Sequence, residues 1–251
     1  MNYLLLVCTD GVPTQEKADA LEEHIPGWVA EMDGRGVRLY GHPLAGPETA
    51  VTVRSRDEQT LVTDGPFIES KEYVGGFDII ECGDLDEALE IAAKHPVSWF
   101  HPIEVRPFWE EPIWPGGEPA AVPERIRTAP PADRRRYLLT MYLDGIPGTD
   151  EEEDSIRRGV QSWVAEMSGR GIQVFGNALK HANTATTVRV RNGETLLSDG
   201  PFVETAEFIG GIDIVDCASR EEAIEVAARH PLARFHRVEV RPFAENETGD
   251  E

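Results

Sequence analysis

The sequence predicts an α+β fold in which two copies of one βαββαβ domain pack sheet against sheet within a single chain. The first observation behind this prediction is a duplication. The segment WVAEM begins at Trp28 and again at Trp163, and EVRPF begins at Glu104 and again at Glu239, both at an offset of 135 residues. A period this long indicates a duplicated domain of roughly 100 residues, not a solenoid repeat. The second observation is that strand and helix patterns follow one another in the same order in both copies.

The elements of the first copy are assigned from their apolar patterns and from the residues that interrupt them. The first run is apolar throughout, as expected of a strand that is covered on both faces. The next element is a helix through Trp28 that ends near Gly34. The predicted strands are 3–8, 37–40, 50–56, 77–82 and 103–108.

The second helix of each copy has a clear start signal. Asp84 with Glu87 three residues later forms a capping box, and Pro96 stops the helix. Ser219 and Glu222 supply the same box in the second copy. The element order, with an extra hairpin in its middle, predicts a four-stranded antiparallel sheet with both helices on one face.

That architecture leaves one apolar sheet face uncovered in each copy. A large exposed apolar face must be buried against something, and the other copy offers an identical sheet. We therefore expect two sheets that face each other as an intrachain pseudo-dimer, with a cavity between the sheets or at their ends.

The domain boundaries follow from the duplication and from the proline content. Residues 1–108 form the first domain, 109–136 a Pro-rich linker, 137–243 the second domain and 244–251 an acidic tail. So many prolines and glycines predict a semi-extended spacer. Trp109, Ile113 and Trp114 are too apolar for a free linker, which indicates that its first part lies against a domain surface. The basic cluster 134–136 is expected only to solvate the linker end.

The composition favours a soluble, cytoplasmic protein. A formal charge of -22 over 251 residues repels phosphate backbones, so we expect no nucleic-acid partner. The apolar run at the N-terminus is too short for a membrane span, so no membrane partner is expected either. Three cysteines without CxxC spacing are read as buried fillers in a reducing compartment. In solution we expect a monomeric pseudo-dimer or a homodimer of such units.

Several motifs occur at matching places in both halves and resemble a known family. In the first copy they are TDGPF at 63–67, Glu69, KE at 71–72, GGF at 75–77, DLDEALE at 84–90 and EVRPF at 104–108; the second copy repeats DGPF and EVRPF exactly and the others in part. Together they resemble the DGPF branch of the YCII-related proteins. The resemblance covers nearly the whole chain outside the linker and the tail.

The resemblance implies a ferredoxin-like fold assembled as a dimeric α+β barrel. Some related barrels are isomerases, dehydrohalogenases or other lyases that act on small cyclic compounds, and DGPF proteins often occur near sigma factors. The founding YCII proteins carry a proposed histidine and aspartate pair. By motif position this pair falls on His24 and His95 in the first copy and on Gly159 and His230 in the second. The aspartate is therefore absent from both copies and the first-helix histidine from one.

Two aspartates in each copy are candidates for chemistry. Asp64 begins the DGPF turn. One interpretation is structural: the Asp side chain caps the turn, Gly adopts positive φ and Pro fixes φ. The other is that Asp64 and Asp199 project into the mouth of the cavity as general bases or ligand acceptors. Asp78 and Asp213 stand inside apolar strands, where a carboxylate must be paired or solvated. One interpretation is a salt bridge with Arg106 or another arginine; the other is a general base in the pocket, its pKa raised by burial.

The histidines divide into those shared by both copies and those found in one. His95 and His230 follow a helix C-terminus, where a capping role is favoured over catalysis. His24 and His42 are replaced by Gly159 and Asn177, so the first copy is predicted to hold the more reactive site. The catalytic candidates are His24, Asp78, Asp64 and His101; the ligand-contact candidates are His42, His95, Phe67, Asp199, Asp213 and His236. No HxH or HxxxH spacing occurs, so no metal site and no cofactor are predicted.

Three hypotheses for function remain. The first is a cofactor-independent acid–base enzyme, an isomerase or lyase acting on a small hydrophobic or aromatic compound. The second is a non-catalytic ligand-binding or regulatory module in which the same groups only satisfy a ligand. The third is a stability or partner module that has no ligand.

Overall fold

The structure is a computed structural model that describes residues 1–9, 14–56, 59–66, 73–111, 121–145, 149–202 and 207–245. The first copy forms β1 (Asn2–Thr9), α1 (Gln15–Gly34), β2 (Arg38–Pro43), β3 (Val51–Arg56), β4 (Gln59–Asp64), β5 (Tyr73–Glu81), α2 (Leu85–Lys94) and β6 (Ile103–Pro107). The second copy forms β7 (Arg135–Leu143), α3 (Asp150–Gly169), β8 (Gln173–Ala178), β9 (Thr186–Arg191), β10 (Glu194–Asp199), β11 (Phe208–Cys217), α4 (Arg220–Ala228) and β12 (Arg237–Pro242). The predicted α+β class and the pairing of two sheets are confirmed.

The two copies exchange their central hairpins, which the sequence did not predict. Sheet one has the strand order β10-β9-β6-β1-β5-β2, and sheet two has the order β4-β3-β12-β7-β11-β8. Each sheet therefore has six strands, two of which come from the other copy. The predicted four-stranded antiparallel sheet is present in each copy, as β6-β1-β5-β2 and as β12-β7-β11-β8. The hairpin of the other copy extends each sheet to six strands, because β3 pairs with β12 and β9 pairs with β6.

The exchange is held by apolar packing as well as by backbone hydrogen bonds. Val51 and Val53 of the first copy lie opposite Val240 and Val238, and join the core beneath α3 and α4. Val188 of the second copy joins the core beneath α1 and α2 in the same way. Because each outer core contains side chains from both copies, neither copy completes its own hydrophobic core.

A third core lies between the two sheets. It contains Leu4, Leu6, Phe77, Ile79 and Phe108 from the first copy and Leu138, Val174, Phe175, Ile212, Ile214 and Phe243 from the second. Strand alternation places these residues on the face opposite the helices. The inter-sheet packing expected from the uncovered apolar faces is therefore observed.

Two short-range features predicted from the sequence are present in the structure. The Asp84 side chain accepts a hydrogen bond from the Glu87 N–H, and the Glu87 carboxylate accepts one from the Gly83 N–H. Gly65 and Gly200 in the two DGPF turns have φ of 98° and 95°. The capping-box and positive-φ predictions are both confirmed.

The end of the linker packs on the barrel more tightly than a spacer would. Ile126 is fully buried in the inter-sheet core. Arg136 lies in β7, buried, and its guanidinium donates from Nε and Nη2 to the two carboxylate oxygens of Asp216 at 2.8 and 2.9 Å. The expectation that the basic cluster only solvates the chain was therefore wrong for Arg136. Ile113 and Trp114 lie outside the described residues.

Across the described ranges, each of the four helices lacks the length or the apolar character needed to cross a bilayer.

Candidate functional site

A cavity of about 50 Å³ lies between the two sheets where the copies meet. Its polar lining comes from two pairs of repeat mates, Glu104 with Glu239 and Arg106 with Arg241. The remaining wall is largely apolar and aromatic, and it consists of Leu6, Cys8, Pro66, Tyr73, Val74, Tyr142, Pro201, Phe202, Glu207, Phe208 and Ile209. The prolines belong to the two DGPF turns, so those turns border the cavity.

Each cavity arginine is paired with the glutamate two residues before it on the same strand. Arg106 donates from Nη1 to Glu104 at 3.1 Å, and Arg241 donates from Nη2 to Glu239. Strand alternation places both members of a pair on the inter-sheet face, because they are two residues apart. All four side chains are buried, so each charge depends on its partner for compensation.

The arginines also connect the two copies. Arg106 donates from Nη2 to the carbonyl oxygens of Lys180 and Ile209, at 2.6 and 3.0 Å. Arg241 donates from Nη1 to the Val74 carbonyl of the first copy. The cavity lining is therefore fixed in place by contacts that exist only when both copies are packed together.

The exchanged hairpin brings a DGPF residue of one copy to a glutamate of the other. The Phe202 N–H donates to Glu104 Oε2 at 3.0 Å. Arg189, on the same hairpin, places its guanidinium 5.1 Å from the centre of the Phe202 ring. Phe67, the repeat mate of Phe202 and a predicted ligand contact, lies outside the described residues.

The two Glu–Arg pairs are related by the duplication, but other lining residues differ between the copies. Cys8 corresponds to Tyr142, and Tyr73 corresponds to Phe208. Burial raises the pKa of Tyr142 well above its usual range, so this hydroxyl keeps its proton near neutral pH. A small molecule in the cavity would therefore meet different groups at its two ends.

Asp78, a predicted catalytic residue, lies on the opposite, helix-covered face of sheet one. Its carboxylate is buried and accepts a hydrogen bond from Arg38 Nε at 2.6 Å. His95 Nε2 lies 3.5 Å from the other carboxylate oxygen. Because His95 Nδ1 accepts from the Val97 N–H at 3.1 Å, the proton of a neutral imidazole resides on Nε2 and faces Asp78. The salt-bridge interpretation of Asp78 is the one observed, with Arg38 as the partner in place of Arg106.

The second copy repeats this arrangement without the positive charge. Asp213 accepts a hydrogen bond from Gln173 Nε2 at 2.6 Å, and His230 Nε2 lies 3.6 Å away. Burial raises the pKa of Asp213 to about 7, although the bond from Gln173 acts in the opposite direction. Burial also lowers the pKa of His230 to about 3. Near neutral pH this pair is buried with a neutral histidine and an aspartate close to its titration midpoint.

Glycines on the neighbouring strand make room for these aspartates. Gly41 lies opposite Asp78, and Gly176 lies opposite Asp213. A Cβ at either glycine would lie 1.8 Å from the Oδ1 of the facing aspartate. Only glycine allows the carboxylate to reach Arg38 or Gln173.

The other predicted site residues lie away from the inter-sheet cavity. His24 is exposed on α1, with its ring 5.3 Å from that of Trp99. Asp64 is 85% exposed and pairs with Arg220 at 2.7 Å, and Asp199 is also exposed. His42 is half-buried against Phe243, with its pKa lowered by burial.

His101 and His236 are buried near the start of the last strand of each copy. The Nδ1 of His236 lies 2.7 Å from Asp144 Oδ1. Neither histidine lines the cavity. The predicted catalytic set of His24, Asp78, Asp64 and His101 is therefore not gathered around one cavity, and it stays a prediction.

The sequence analysis missed the two Glu–Arg pairs of the cavity. A signal was available, because the string Glu-Val-Arg-Pro-Phe is identical in both copies and puts two opposite charges on one face of a buried strand. Within the described ranges, no three His, Cys, Asp or Glu residues lie close enough together to hold a metal ion.

Two exchanged βαββαβ units that enclose one charged cavity define a tandem α+β barrel. The family model of the YCII-related domain matches the chain twice, over residues 1–110 and 137–244. The protein therefore belongs to the YCII-related domain family and carries two copies of the domain.

Other similarities are weaker or more local. The chain is 51% identical over 49 residues to uncharacterized protein R00369 of Rhizobium meliloti (strain 1021), a match that spans 20% of this chain and 40% of that protein. It is also similar to the crystal structure of TA0507, provisionally assigned as a chlorite dismutase, with 8% identity, a TM-score of 0.46, and coverage of 97% of this chain and 94% of that one.

Proposed function

We propose that this protein binds a small organic molecule in the inter-sheet cavity. The observation that carries the proposal is the cavity itself, which combines two buried Glu–Arg pairs with an apolar and aromatic wall. A concave apolar site with a few convergent polar groups is the usual form of a small-molecule site. The Glu–Arg pairs also support it, because buried ion pairs add little to stability compared with apolar packing.

A cavity-filling variant tests the proposal. Cys8→Leu adds apolar volume inside the cavity, whereas Cys82→Leu adds the same volume to a buried cysteine in the core beneath α1 and α2. A small-molecule library is screened by thermal shift against both variants and the wild type. Ligands of the cavity should stabilise the wild type and Cys82→Leu but not Cys8→Leu. Equal stabilisation of Cys8→Leu would show that binding occurs elsewhere.

The finer proposal is a cofactor-independent acid–base enzyme, an isomerase or lyase on a small hydrophobic or aromatic compound. Buried carboxylates at Glu104 and Glu239 support it, because a carboxylate in the cavity wall can accept a proton from a bound compound. The catalytic residues predicted from the sequence, with His24 foremost, belong to the same proposal. The alternative is a non-catalytic ligand-binding or regulatory module.

Turnover separates these two candidates. Once a ligand is known, its conversion is followed by NMR with the wild type, Glu104→Gln and His24→Ala. Loss of turnover in Glu104→Gln with retained binding would support catalysis from the cavity, whereas loss in His24→Ala would support the first-copy histidine. Asn177→Ala is expected to leave turnover nearly intact. Unchanged ligand after long incubation with the wild type would favour the binding module.

A further inference from the structure

Two arginines that line the cavity each have a buried hydrogen-bond donor that no described residue satisfies. The Nε atoms of Arg106 and Arg241 are buried and have no hydrogen-bond partner among the described residues, although the side chains are 0% and 2% exposed. A buried donor without an acceptor destabilises the folded protein, because its lost hydrogen bonds to water are not replaced. The two arginines occupy equivalent positions in the two copies, so the same donor lacks a partner in both.

Other arginines show that this is not the general state of a buried guanidinium in this protein. Arg136 is buried and donates from Nε to Asp216, and Arg38 donates from Nε to Asp78. Both lie outside the cavity lining. Arg54 also has an unpartnered Nε, but its side chain is only partly buried and it too lies outside the cavity.

The charges around these donors are already balanced. Each cavity guanidinium has its own glutamate, and Glu207 at the cavity wall pairs with Arg237. An anionic ligand would bring an uncompensated negative charge into a buried site, which is electrostatically unfavourable. A cationic ligand would bring no acceptor for the two Nε–H groups.

The size of the cavity limits the ligand further. A water molecule needs roughly 10–15 Å³, so a cavity of about 50 Å³ has room for a group of only a few non-hydrogen atoms. Phe202, Phe208 and Tyr73 offer apolar surface beside the donors.

We propose that the cavity selects a neutral carbonyl compound, whose oxygen accepts a hydrogen bond from the Nε–H group of Arg106 or of Arg241. This inference rests on the proposed small-molecule site and names its ligand class. A neutral carbonyl satisfies buried donors without disturbing the charge balance, and its hydrocarbon part packs on the aromatic wall.

Three probes of four non-hydrogen atoms each test the inference on the full-length protein. Acetone is the neutral carbonyl, acetate the anion and isopropylammonium the cation. Each is titrated into protein with 15N-labelled arginine, and the Nε–H resonances of Arg106 and Arg241 are followed by NMR. We expect acetone to shift one or both of these resonances to saturation, with an affinity in the roughly millimolar range set by so few atoms. Acetate and isopropylammonium should bind at least about tenfold more weakly.

Lysine variants connect the binding to the guanidinium groups. Arg106→Lys and Arg241→Lys keep the charge but remove the Nε–H. Each should therefore weaken the binding of acetone by about fivefold or more. Arg136→Lys alters a buried ion pair outside the cavity and should leave acetone binding unchanged. If a cavity variant fails to fold, the wild-type titrations still decide the question.

The outcomes distinguish the two proposals. Tighter binding of acetate, or of isopropylammonium, at these resonances would overturn the neutral carbonyl while leaving a small-molecule site in place. Saturable binding of none of the three probes, together with no cavity ligand in the Cys8→Leu screen, would overturn both.

Discussion

Arg38 and Gln173 occupy equivalent positions in the two copies, and each places a side-chain nitrogen 2.6 Å from a buried aspartate oxygen, but only Arg38 carries a charge. The first copy therefore buries an ion pair at Asp78, and the second buries an aspartate whose nearest partners are an amide and a neutral histidine. The same backbone arrangement has been retained with different electrostatics. Stability should consequently depend on pH through the second copy.

The Asp213→Asn variant isolates this dependence. The folded pKa of Asp213 is raised from 3.8 to about 7, so its contribution to stability is full below about pH 4 and is lost as the pH rises to about 7. Asparagine cannot ionise, so the variant does not lose this stability as the pH rises. The unfolding free energy of Asp213→Asn relative to wild type should therefore increase by roughly 2–4 kcal/mol between about pH 4 and pH 8, as measured by urea denaturation.

The titration of His230 changes stability with pH in the opposite direction, but it does not hide the effect of Asp213→Asn. Its folded pKa is lowered from 6.5 to about 3, so its contribution is present above about pH 6.5 and is lost as the pH falls. Both proteins contain this histidine, so its contribution largely cancels in the comparison.

Asp78→Asn is the matched control, and it should be less stable than wild type at neutral pH by about 1–3 kcal/mol because Arg38 loses its main partner. A wild-type to Asp213→Asn difference that does not change with pH would contradict the assignment.

Exchanging Arg38 and Gln173 tests whether the charge of the partner side chain sets the stability and the pKa of each buried aspartate. Gln173→Arg supplies the missing cation, so it should stabilise the protein at about pH 8 and lower the pKa of Asp213. Arg38→Gln leaves Asp78 without its cation and should destabilise by about 3–5 kcal/mol. Calorimetry of both single variants and of the double exchange gives the comparison. Equal destabilisation by both single variants would show that the side-chain volume, not the charge, decides.

The DGPF turn should tolerate loss of its charge better than loss of its glycine. Asp64 is mostly exposed and its ion pair with Arg220 is a surface pair, so Asp64→Asn should change the unfolding free energy by less than about 1 kcal/mol. Gly65 has φ of 98° and open space around its Cβ position, so the cost of Gly65→Val is purely conformational, about 1–3 kcal/mol. Chemical denaturation of both variants measures the difference. If both were tolerated equally, Gly65 would not need its positive φ.

An isolated first half should not remain a monomer. In residues 1–110, β6 would lose β9 as its neighbour, and β3 with β4 would lose β12. The inter-sheet face would also be uncovered, including Leu4, Phe77 and Ile79. We expect two such halves to form a dimer with exchanged hairpins, detected by light scattering or small-angle X-ray scattering. A soluble, folded monomer of this half would rule out the exchange as a requirement for folding.

Much of the local structure was determined by the sequence alone. The duplication gave two equivalent domains, because identical strings at a constant offset fold to identical units. Capping boxes and the glycine of the DGPF turn depend on residues within three or four positions of one another, so short-range chemistry is enough to predict them. The existence of two facing sheets followed from an apolar face that had no other cover.

The tertiary structure alone decided which strands are neighbours and which charges meet. The pattern of β3 does not show which copy it pairs with, because both copies offer a similar edge strand, Ile103–Pro107 or Arg237–Pro242. Alternation fixes the face of a strand but not its partner. Asp78 could be recognised as a buried charge, but Arg38 became its partner only because β2 lies beside β5 with a glycine opposite the aspartate. Glu104 and Arg106 became a candidate site only when the sheets closed over them, since a cavity is a property of packed surfaces and not of any single segment.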